Sequence, residues 1–378
     1  MRIAVIGPRS PLRGGIAAHT RALEGELTRR GHEVIRIGFS RMYPPGVFPG
    51  ASEHVAGAHA LTEADSGSPV ASIDALNPLS WSHARRVLDS SHCDRIVFQW
   101  WHPFFSRLIT SLVRDADVPV IGVCHNARPH EGYPGWKRAT MRALARADLL
   151  LCHSQAVSAE LAHIVPQSRR RVVAMPLLLE SVTTLDRGDA RRRLGLRANA
   201  RLALFAGHAR RYKGAELLLA AWDEARLPNL SGLVLVGESY LGRGRLRKTA
   251  AACRRRASIR VIDRYVDDDD FAAWLVACDV VVLPYLRASQ SGLAGTAVAA
   301  GARLIASDTG GLGEQARRFG ATLVKPGSVV ELAQALSIEL ARAPHCDAAR
   351  HRGHEDAIAA ASAQESLALA CESAIRCE

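Results

Sequence analysis

Short apolar runs alternate along the chain with longer segments whose apolar residues recur at helical spacing. The runs predict strands at Arg2–Ile6, Glu33–Ile37, Arg95–Gln99, Val118–Val123, Leu149–Cys152, Leu202–Phe205, Gly232–Val236, Ile259–Ile262, Asp279–Leu283 and Arg303–Ala306. The longer segments predict helices at Ile16–Arg30, Trp81–Leu88, Phe104–Arg114, Trp136–Arg146, Ala215–Ala225, Leu246–Arg256, Asp269–Ala277, Gly292–Ala300 and Val329–Arg342. Strands that alternate with helices need crossover connections, so we expect parallel sheets covered on both faces.

The alternation runs as two series, which predicts an α/β protein with two doubly wound, Rossmann-like domains. A chain of 378 residues is long enough for both. The rhythm breaks near Leu178–Arg193, so we expect domains at residues 1–185 and 186–355. Residues 41–75 predict a long loop because they are rich in Gly, Pro, Ser and Ala. Asp356–Ile375 predicts one amphipathic helix, within a last segment of residues 356–378.

Composition agrees with a folded protein of ordinary type. Hydrophobic residues make up 48% and charged residues 23%, which excludes a disordered chain. No apolar stretch approaches the length of a transmembrane helix, and the first residues do not resemble a signal peptide, so we expect a cytoplasmic location. The eight cysteines lack C-x-x-C spacing, which predicts buried, reduced thiols and no zinc site.

The net charge of +12 is consistent with nucleic acid, an anionic membrane or a phosphorylated small molecule as partner. It is equally consistent with a codon-biased, arginine-rich composition that has no function. The 5% aromatic content and the lack of a basic stripe argue against nucleic acid.

Two doubly wound domains place the carboxyl ends of their strands around a shared cleft, where ligands are expected. After the first strand, Gly14 and Gly15 open a helix, which suits either an anion at the free backbone amides or a simple turn. After Gln99, Trp101 and His102 suit a sugar or lipid pocket, or a cap on the core.

The loop after Val118–Val123 carries His125, His130 and Glu131. Because His125 follows a buried strand directly, we expect its imidazole to contact a polar substrate or transfer a proton. A metal site and a structural loop anchor are the alternatives, and a spacing of five residues is not diagnostic of a metal.

Two loops of the second series suit a phosphorylated ligand. In the first, Gly207, Arg210 and Lys213 precede a helix, and two cations at a helix start favour a dianion over a solvated basic turn. The second loop places polar groups at the start of a helix, where they suit sugar hydroxyls and phosphate oxygens. The alternative is that Ser289 simply caps this helix. This second set is Ser289, Gln290, Ser291, Gly292 and Leu293.

Several common signatures are missing. The chain has no Walker loop and no G-x-S-x-G nucleophile elbow, and the strand-end motifs above contain no Asp-x-Asp pair. A diphosphate bound there would be neutralised by Arg, Lys and helix dipoles, so we expect no metal and no cofactor besides the substrate.

Taken in order, these motifs resemble family 4 of the GT-B-fold glycosyltransferases. Phe205–Gly214 is similar to the family's F-G-x-x-R-x-Y-K-G segment, Val236-Gly237-Glu238 to its V-G-E strand end, and Asp279–Tyr285 to its D-V-V-V-L-P-Y strand. Ser289–Gly292 resembles an S/T-Q-S-G loop and Asp308–Glu314 a D-x-G-G-L-x-E turn. The resemblance covers nearly the whole chain and is strongest in its second half.

The resemblance implies a retaining, metal-independent transferase that uses a UDP- or GDP-linked sugar. Arg210 and Lys213 would hold the donor diphosphate, and His125 would contact the transferred sugar. Further donor contacts would come from Gly14, Gly15, Gly207, Glu238 and residues 289–293, and acceptor contacts from Trp101, His102, His130 and Glu131. The acceptor would be a glycan or a lipid-linked glycan of surface polysaccharide or glycolipid synthesis, which allows peripheral membrane association. The helix of residues 356–378 would return to the first domain.

One departure affects this expectation. Many members of the family carry two glutamates seven residues apart, where this chain has Ser289 or Gln290 and then Thr296 or Ala297. The S-Q-S-G subgroup shares the loss of the first glutamate, so inactivity does not follow. A non-catalytic GT-B protein that binds a nucleotide sugar or glycan is therefore the alternative.

Overall fold

The structure is a computed structural model that describes residues 1–44, 50, 52–55, 70–129, 132–342, 363 and 365–373. The chain divides into two compact units. Unit 1 contains Met1–Leu178 and Ser362–Glu378, and unit 2 contains Leu179–Ala361. Each unit holds one parallel sheet with helices packed against it, so the predicted α/β class is confirmed.

Unit 1 is built on a seven-stranded sheet of order β3-β2-β1-β4-β5-β6-β7. Its strands are β1 (Arg2–Ile6), β2 (Glu33–Arg41), β3 (Val70–Asp74), β4 (Arg95–Trp100), β5 (Val120–Cys124), β6 (Leu149–Cys152) and β7 (Arg169–Val172). Its helices are α1 (Gly15–Arg29), α2 (Pro78–Ser90), α3 (Ser106–Val113), α4 (Trp136–Leu144) and α5 (Gln155–Ala162).

Unit 2 is built on a six-stranded sheet of order β10-β9-β8-β11-β12-β13. Its strands are β8 (Arg201–Ala206), β9 (Ser231–Val236), β10 (Ile259–Ile262), β11 (Val280–Leu283), β12 (Arg303–Ser307) and β13 (Thr322–Val324). Its helices are α6 (Arg187–Arg193), α7 (Ala215–Glu224), α8 (Arg245–Ala252), α9 (Asp268–Ala277), α10 (Gly292–Ala299), α11 (Gly310–Arg318) and α12 (Val329–Ala341).

Both faces of the unit 1 sheet are covered, as its continuous apolar strands require. Along β1, Ala4 and Ile6 face one core, and Ile3 and Val5 face the other. The second core includes residues 365–372, a helix (α13) near the end of the chain that inserts Leu367 and its neighbours beside α1. The rest of the predicted Asp356–Ile375 helix lies largely outside the described residues.

Several elements differ from the predictions. The predicted loop 41–75 contains the strand β3, and the segment Arg169–Val172 forms the strand β7 despite its three arginines. Both are edge strands that leave some side chains exposed, so they lack the apolar signal of the central strands. The helices α5, α6 and α11 and the strand β13 were not predicted either; α11 begins at Gly310, within the expected glycine turn Asp308–Glu314.

The cysteine prediction is confirmed for six of the eight residues. Cys93, Cys124, Cys152, Cys253, Cys278 and Cys371 are buried and free. Cys346 and Cys377 lie outside the described residues. Within the ranges that the structure describes, no helix has the length and apolarity needed to cross a membrane.

Candidate functional site

Three loops of unit 2 follow the neighbouring strands β8, β11 and β12, so their first residues lie at the same edge of the sheet. The first loop holds Gly207, Arg210 and Lys213. The second contains Ser289, Gln290 and Ser291 and leads into α10. The third leads into α11. The predicted donor-binding residues of these loops are therefore assembled by the sheet order alone.

A glycine lets the first loop pack directly on the second. Gly214 adopts a left-handed backbone conformation (φ +70°), and a Cβ there would lie 2.1 Å from the carbonyl oxygen of Pro284. Next to this contact, the backbone N–H of Leu286 donates to the carbonyl oxygen of Tyr212 at 2.6 Å. Only glycine fits at position 214, which explains the glycine after Lys213.

The second loop is held in the same way from the third. Gly310 has φ +47°, and a Cβ there would lie 2.2 Å from the carbonyl oxygen of Ala288. The backbone N–H of Ser291 donates to the Gln315 side chain of α11 at 2.8 Å. The three loops are therefore packed directly against one another.

The Lys213 ammonium lies in an aromatic setting. Its Nζ is 5.5 Å from the centre of the Tyr285 ring, within the range of a cation–π interaction. Tyr285 is buried, and its hydroxyl is hydrogen-bonded to Ser291; burial raises the pKa of Tyr285 to about 12. Desolvation lowers the pKa of Lys213, and the nearby Arg210 guanidinium lowers it further. An anion bound beside both cations would relieve this repulsion.

Arg210 has an aromatic partner of its own. Its guanidinium carbon lies 5.0 Å from the centre of the Tyr240 ring, and His208 stacks on the same ring with centroids 4.9 Å apart. A Cβ at Gly207 would lie 3.5 Å from Lys213 Nζ, so this glycine leaves space beside the ammonium. Glu238 is buried, and its carbonyl oxygen accepts from the backbone N–H of Ala209.

The entrance of α10 differs from a simple cap. Ser289 does not cap this helix, whose N-cap is Ser291 without a side-chain cap bond. Gln290 Oε1 is buried without a hydrogen-bond partner among the described residues. Leu293 is half-buried in the first turn. Thr296 is buried and donates its hydroxyl to the carbonyl oxygen of Gly292, so it is engaged within the helix.

In unit 1, Gly14 and Gly15 stand at the start of α1. Gly14 is the N-cap, and no side chain caps the helix there. The loop before it is anchored by Arg9, which forms a buried ion pair with Glu24 of α1. The first backbone amides of α1 keep their donor capacity, which suits an anion.

A cluster of three buried histidines lies at the ends of the unit 1 strands. The register pairs Cys124 of β5 with Cys152 of β6, so the next residues, His125 and His153, occupy equivalent positions. His19 of α1 lies between them, with ring centroids 4.6 Å from His125 and 4.9 Å from His153.

Burial keeps these three histidines neutral. Desolvation is the largest cause of a lowered pKa for each, and it brings the pKa of His153 to about 4. The charges of His125 and His153 lower the pKa of His19 further, and the charge of His153 lowers the pKa of His125. His125 is therefore a neutral hydrogen-bonding group at physiological pH.

The predicted acceptor residues fall into two groups. Trp101 packs its ring against Phe105 and Phe39 at the edge of the core, at centroid distances of 4.4 and 5.8 Å. His102 accepts from the backbone N–H of Phe104 through Nδ1, and its ring lies perpendicular to that of Tyr133, with centroids 5.3 Å apart. His130 and Glu131 lie outside the described residues.

No group of three or more His, Cys, Asp and Glu suited to a metal ion occurs in the ranges covered by the structure. The acidic run Asp267–Asp270 has other partners: Asp267 caps α9, and Asp270 forms an ion pair with Arg193 at 2.7 Å.

Sequence reasoning missed Gln99, His19, His153, Tyr240 and Tyr285 as parts of these sites. A signal existed for His153, because β5 and β6 each end in a cysteine that is followed directly by a histidine. His19 lies on the apolar face of α1, four residues before the buried Leu23. Tyr240 gave no sequence signal that distinguishes it from an ordinary loop residue.

Comparisons with known proteins identify the class. The chain matches the family model "Glycosyltransferase Family 4" over residues 13–177 and the model "Glycosyl transferases group 1" over residues 200–341. It therefore belongs to the family 4 glycosyltransferases, and its two doubly wound units are those of the GT-B fold.

Among curated proteins, it is similar to a GDP-mannose:glycolipid 4-beta-D-mannosyltransferase of Xanthomonas campestris pv. campestris. The identity is 29% over 179 residues, which is 46% of each chain, so the match spans about half the length of that relative.

Solved structures share the whole fold. Sucrose-phosphate synthase of Thermosynechococcus elongatus has a TM-score of 0.73 at 19% identity, over 98% of this chain and 97% of that one. HepE of Anabaena, in complex with UDP and glucose, has a TM-score of 0.72 at 16% identity, over 98% and 99%. A trehalose-phosphate synthase of Burkholderia xenovorans, in complex with glucose-6-phosphate, has a TM-score of 0.70 at 14% identity, over 98% and 100%.

Proposed function

We propose that the protein transfers a hexose from a UDP- or GDP-linked donor to a glycan or lipid-linked acceptor. The observation that carries this proposal is the pair of cations in unit 2. Arg210 and Lys213 stand in one short loop, each beside a tyrosine ring, and Lys213 is partly desolvated. This arrangement suits a diphosphate, because two fixed cations neutralise its charge without a metal.

The same pair supplies the main catalytic effect. When the bond between sugar and diphosphate breaks, negative charge develops on the leaving phosphate oxygen. Cations fixed beforehand stabilise this charge without reorganising at the moment of reaction. Within unit 1 itself, the first amides of α1 at Gly14 and Gly15 suit an anion, and the neutral His125 suits a hydroxyl group.

The transfer assay uses purified protein, radiolabelled UDP- and GDP-hexoses, lipid-linked glycan acceptors and excess EDTA. Lys213→Ala and Arg210→Ala should each lower the rate by roughly two orders of magnitude, corresponding to about 2–4 kcal/mol of transition-state stabilisation. Lys248→Ala, which removes an exposed lysine of α8, is the matched control and should leave the rate unchanged. Near-normal transfer by both site variants would contradict the assignment of the site. Loss of transfer in EDTA would contradict a metal-independent reaction.

The anomeric outcome is tested in the same assay by proton NMR of the product. The proposal of retention rests on the resemblance to family 4. The name of the Xanthomonas relative describes a β-mannoside. A β-product from an α-linked GDP-mannose donor would contradict retention while leaving the transferase proposal intact.

A second candidate is a protein that binds a nucleotide sugar without transferring it. Thr296 and Ala297 are buried, and the Thr296 hydroxyl is engaged within α10, so neither replaces a glutamate near the ribose. Tight donor binding without transfer or donor hydrolysis over the whole acceptor panel would favour this candidate.

We also propose peripheral association with the cytoplasmic face of an anionic membrane, where a lipid-linked acceptor would be available. The supporting surface is α4, which carries Lys137, Arg138 and Arg142 and no acidic residue. Its Met141 side chain is 49% exposed beside these cations. Basic side chains around an exposed apolar one suit an anionic lipid surface.

Flotation with vesicles of phosphatidylglycerol and phosphatidylcholine tests this association. Reversing the charge of Lys137, Arg138 and Arg142 to Glu together should abolish flotation at low salt. The same change at Arg243, Arg247 and Lys248 alters the net charge equally on unit 2 and should leave flotation intact. Equal loss of flotation in both triple variants would show that binding depends on net charge alone and not on α4. Absence of flotation of the unmodified protein would contradict the proposal.

A further inference from the structure

Gln99 is a buried amide that the proposed reaction has not used. It is the penultimate residue of β4 and is fully buried, and its Oε1 lies 2.6 Å from Nε2 of His125. Gly7 lets the Gln99 side chain pack closely here, because a Cβ at that position would lie 2.7 Å from Gln99 Cγ. The oxygen of the Gln99 amide faces the imidazole, and this determines which hydrogen bond the ring can make with it.

The bond to Gln99 determines which ring nitrogen of His125 carries the proton. An amide oxygen only accepts, so Nε2 must be the donor and carry the hydrogen. Because His125 is neutral, Nδ1 then holds a lone pair and has no hydrogen to give. The group that meets Nδ1 must itself donate a hydrogen bond.

The neighbouring histidines show the same logic. Nδ1 of His153 lies 3.2 Å from the carbonyl oxygen of Val173, so it carries the hydrogen and leaves Nε2 as the acceptor. His19 Nε2, 3.0 Å away, must then be the donor to His153. Each ring of the cluster is thus held in one tautomer by its hydrogen bonds, and none requires a positive charge.

We propose that Gln99 is a positioning residue that holds His125 as its Nε2–H tautomer and thereby restricts this site to ligand groups that donate a hydrogen bond. A sugar hydroxyl meets this requirement, whereas an ionised phosphate oxygen does not. The proposal rests on the proposed transfer function for the identity of the ligand, but the tautomer itself is a property of the free protein.

Nitrogen-15 NMR of histidine-labelled protein without ligand tests the tautomer. His125→Gln assigns the His125 signals by their loss. We expect the Nε2–H pattern for His125 from pH 6 to 8. Gln99→Leu, of similar size but without an acceptor, should convert it to a mixture of tautomers. A Nδ1–H tautomer in the unmodified protein, or no change in Gln99→Leu, would overturn the proposal.

Transfer kinetics with deoxygenated donors then test the ligand restriction. Among donors that each lack one sugar hydroxyl, one should have a kcat/KM about tenfold below that of the complete donor when the unmodified protein is used. With Gln99→Leu, the difference between these two donors should be much smaller. UDP or GDP affinity should be the same in both proteins, because the diphosphate contacts are elsewhere. Equal losses for both proteins with every deoxy donor would contradict the restriction.

The two proposals fail in different ways. A protein that transfers no sugar but shows the Nε2–H tautomer fails the proposed function and keeps the role of Gln99. An active transferase whose His125 tautomer is unaffected by Gln99→Leu fails only this inference. Thermal unfolding of Gln99→Leu separates a lost hydrogen bond from a lost fold.

Discussion

At the scale of residues, the two sites use opposite electrostatic settings. In unit 2, Lys213 is desolvated beside Arg210, so its charge favours an incoming anion. In unit 1, His19, His125 and His153 are buried together, and desolvation lowers the pKa of each imidazole, so they stay neutral. A phosphate is therefore expected at the cations, and a hydroxyl at the histidines.

The buried histidines predict a loss of stability in acid. The pKa of His153 is lowered by burial to about 4 in the folded protein, against 6.5 for the free side chain. Between these values the unfolded chain binds more protons, so the free energy of unfolding falls as the pH falls. From pH 7.5 to pH 5, His153 alone should cost about 2 kcal/mol.

Urea unfolding at the two pH values measures this loss. His153→Gln removes the titrating group and should show a smaller pH-dependent loss than the unmodified protein. The exposed His83→Gln is the matched control and should behave like the unmodified protein. Stability that stays constant or rises on acidification would contradict the neutral cluster.

At the scale of elements, backbone contacts between loops fix the cationic site, and Gly214 shows how. Gly214 and Gly195 both adopt left-handed conformations, with φ of +70° and +65°. A Cβ at Gly195 would meet nothing within 4 Å, whereas one at Gly214 would meet the carbonyl oxygen of Pro284. Alanine variants at the two positions therefore separate the free-energy cost of a left-handed backbone from the cost of a clash with Pro284.

Gly195→Ala should lower the free energy of unfolding by about 1 kcal/mol, the cost of the left-handed conformation. Gly214→Ala should cost more and should also weaken nucleotide binding at least tenfold, because the loop with Lys213 must move away from Pro284. Chemical unfolding and calorimetric titration measure the two effects. Equal effects of both variants would show that the contact does not position the loop.

The helix α13 is the second element whose role can be measured. Leu367 is fully buried in the core of unit 1, and Glu372 forms an ion pair with Arg30 and a hydrogen bond with His32 of the same unit. Leu367→Ala should therefore lower the free energy of unfolding by about 2–5 kcal/mol. Leu369→Ala, on the same helix but 43% exposed, should change it by less than about 0.5 kcal/mol. Similar small effects of both variants would contradict the packing of α13.

At the scale of the whole molecule, the sequence predicted the central architecture well. Most central strands are short, largely apolar runs, because a parallel sheet covered on both faces buries both sides of each strand. The edge strands β3 and β7 were missed because exposed side chains interrupt that signal. The helix α11 was missed because its first residues are glycines, which usually indicate a turn.

The candidate site was predictable where a motif carries the chemistry within a few residues, as for Arg210 and Lys213. It was not predictable where the partner is distant in sequence. Gln99 meets His125, and Tyr285 meets Lys213, only because neighbouring strands bring them together. Sheet order and register, which a single sequence does not contain, decide these pairs.

The proposed function requires that the loop with Arg210 and Lys213 binds the diphosphate of a nucleotide sugar without a metal. The most direct measurement is calorimetric titration of UDP, GDP, UDP-glucose and GDP-mannose into the protein with excess EDTA. We predict binding of one nucleotide series, lost in Lys213→Ala and retained in Lys248→Ala. No binding of either series, or equal binding by both variants, would contradict the claim.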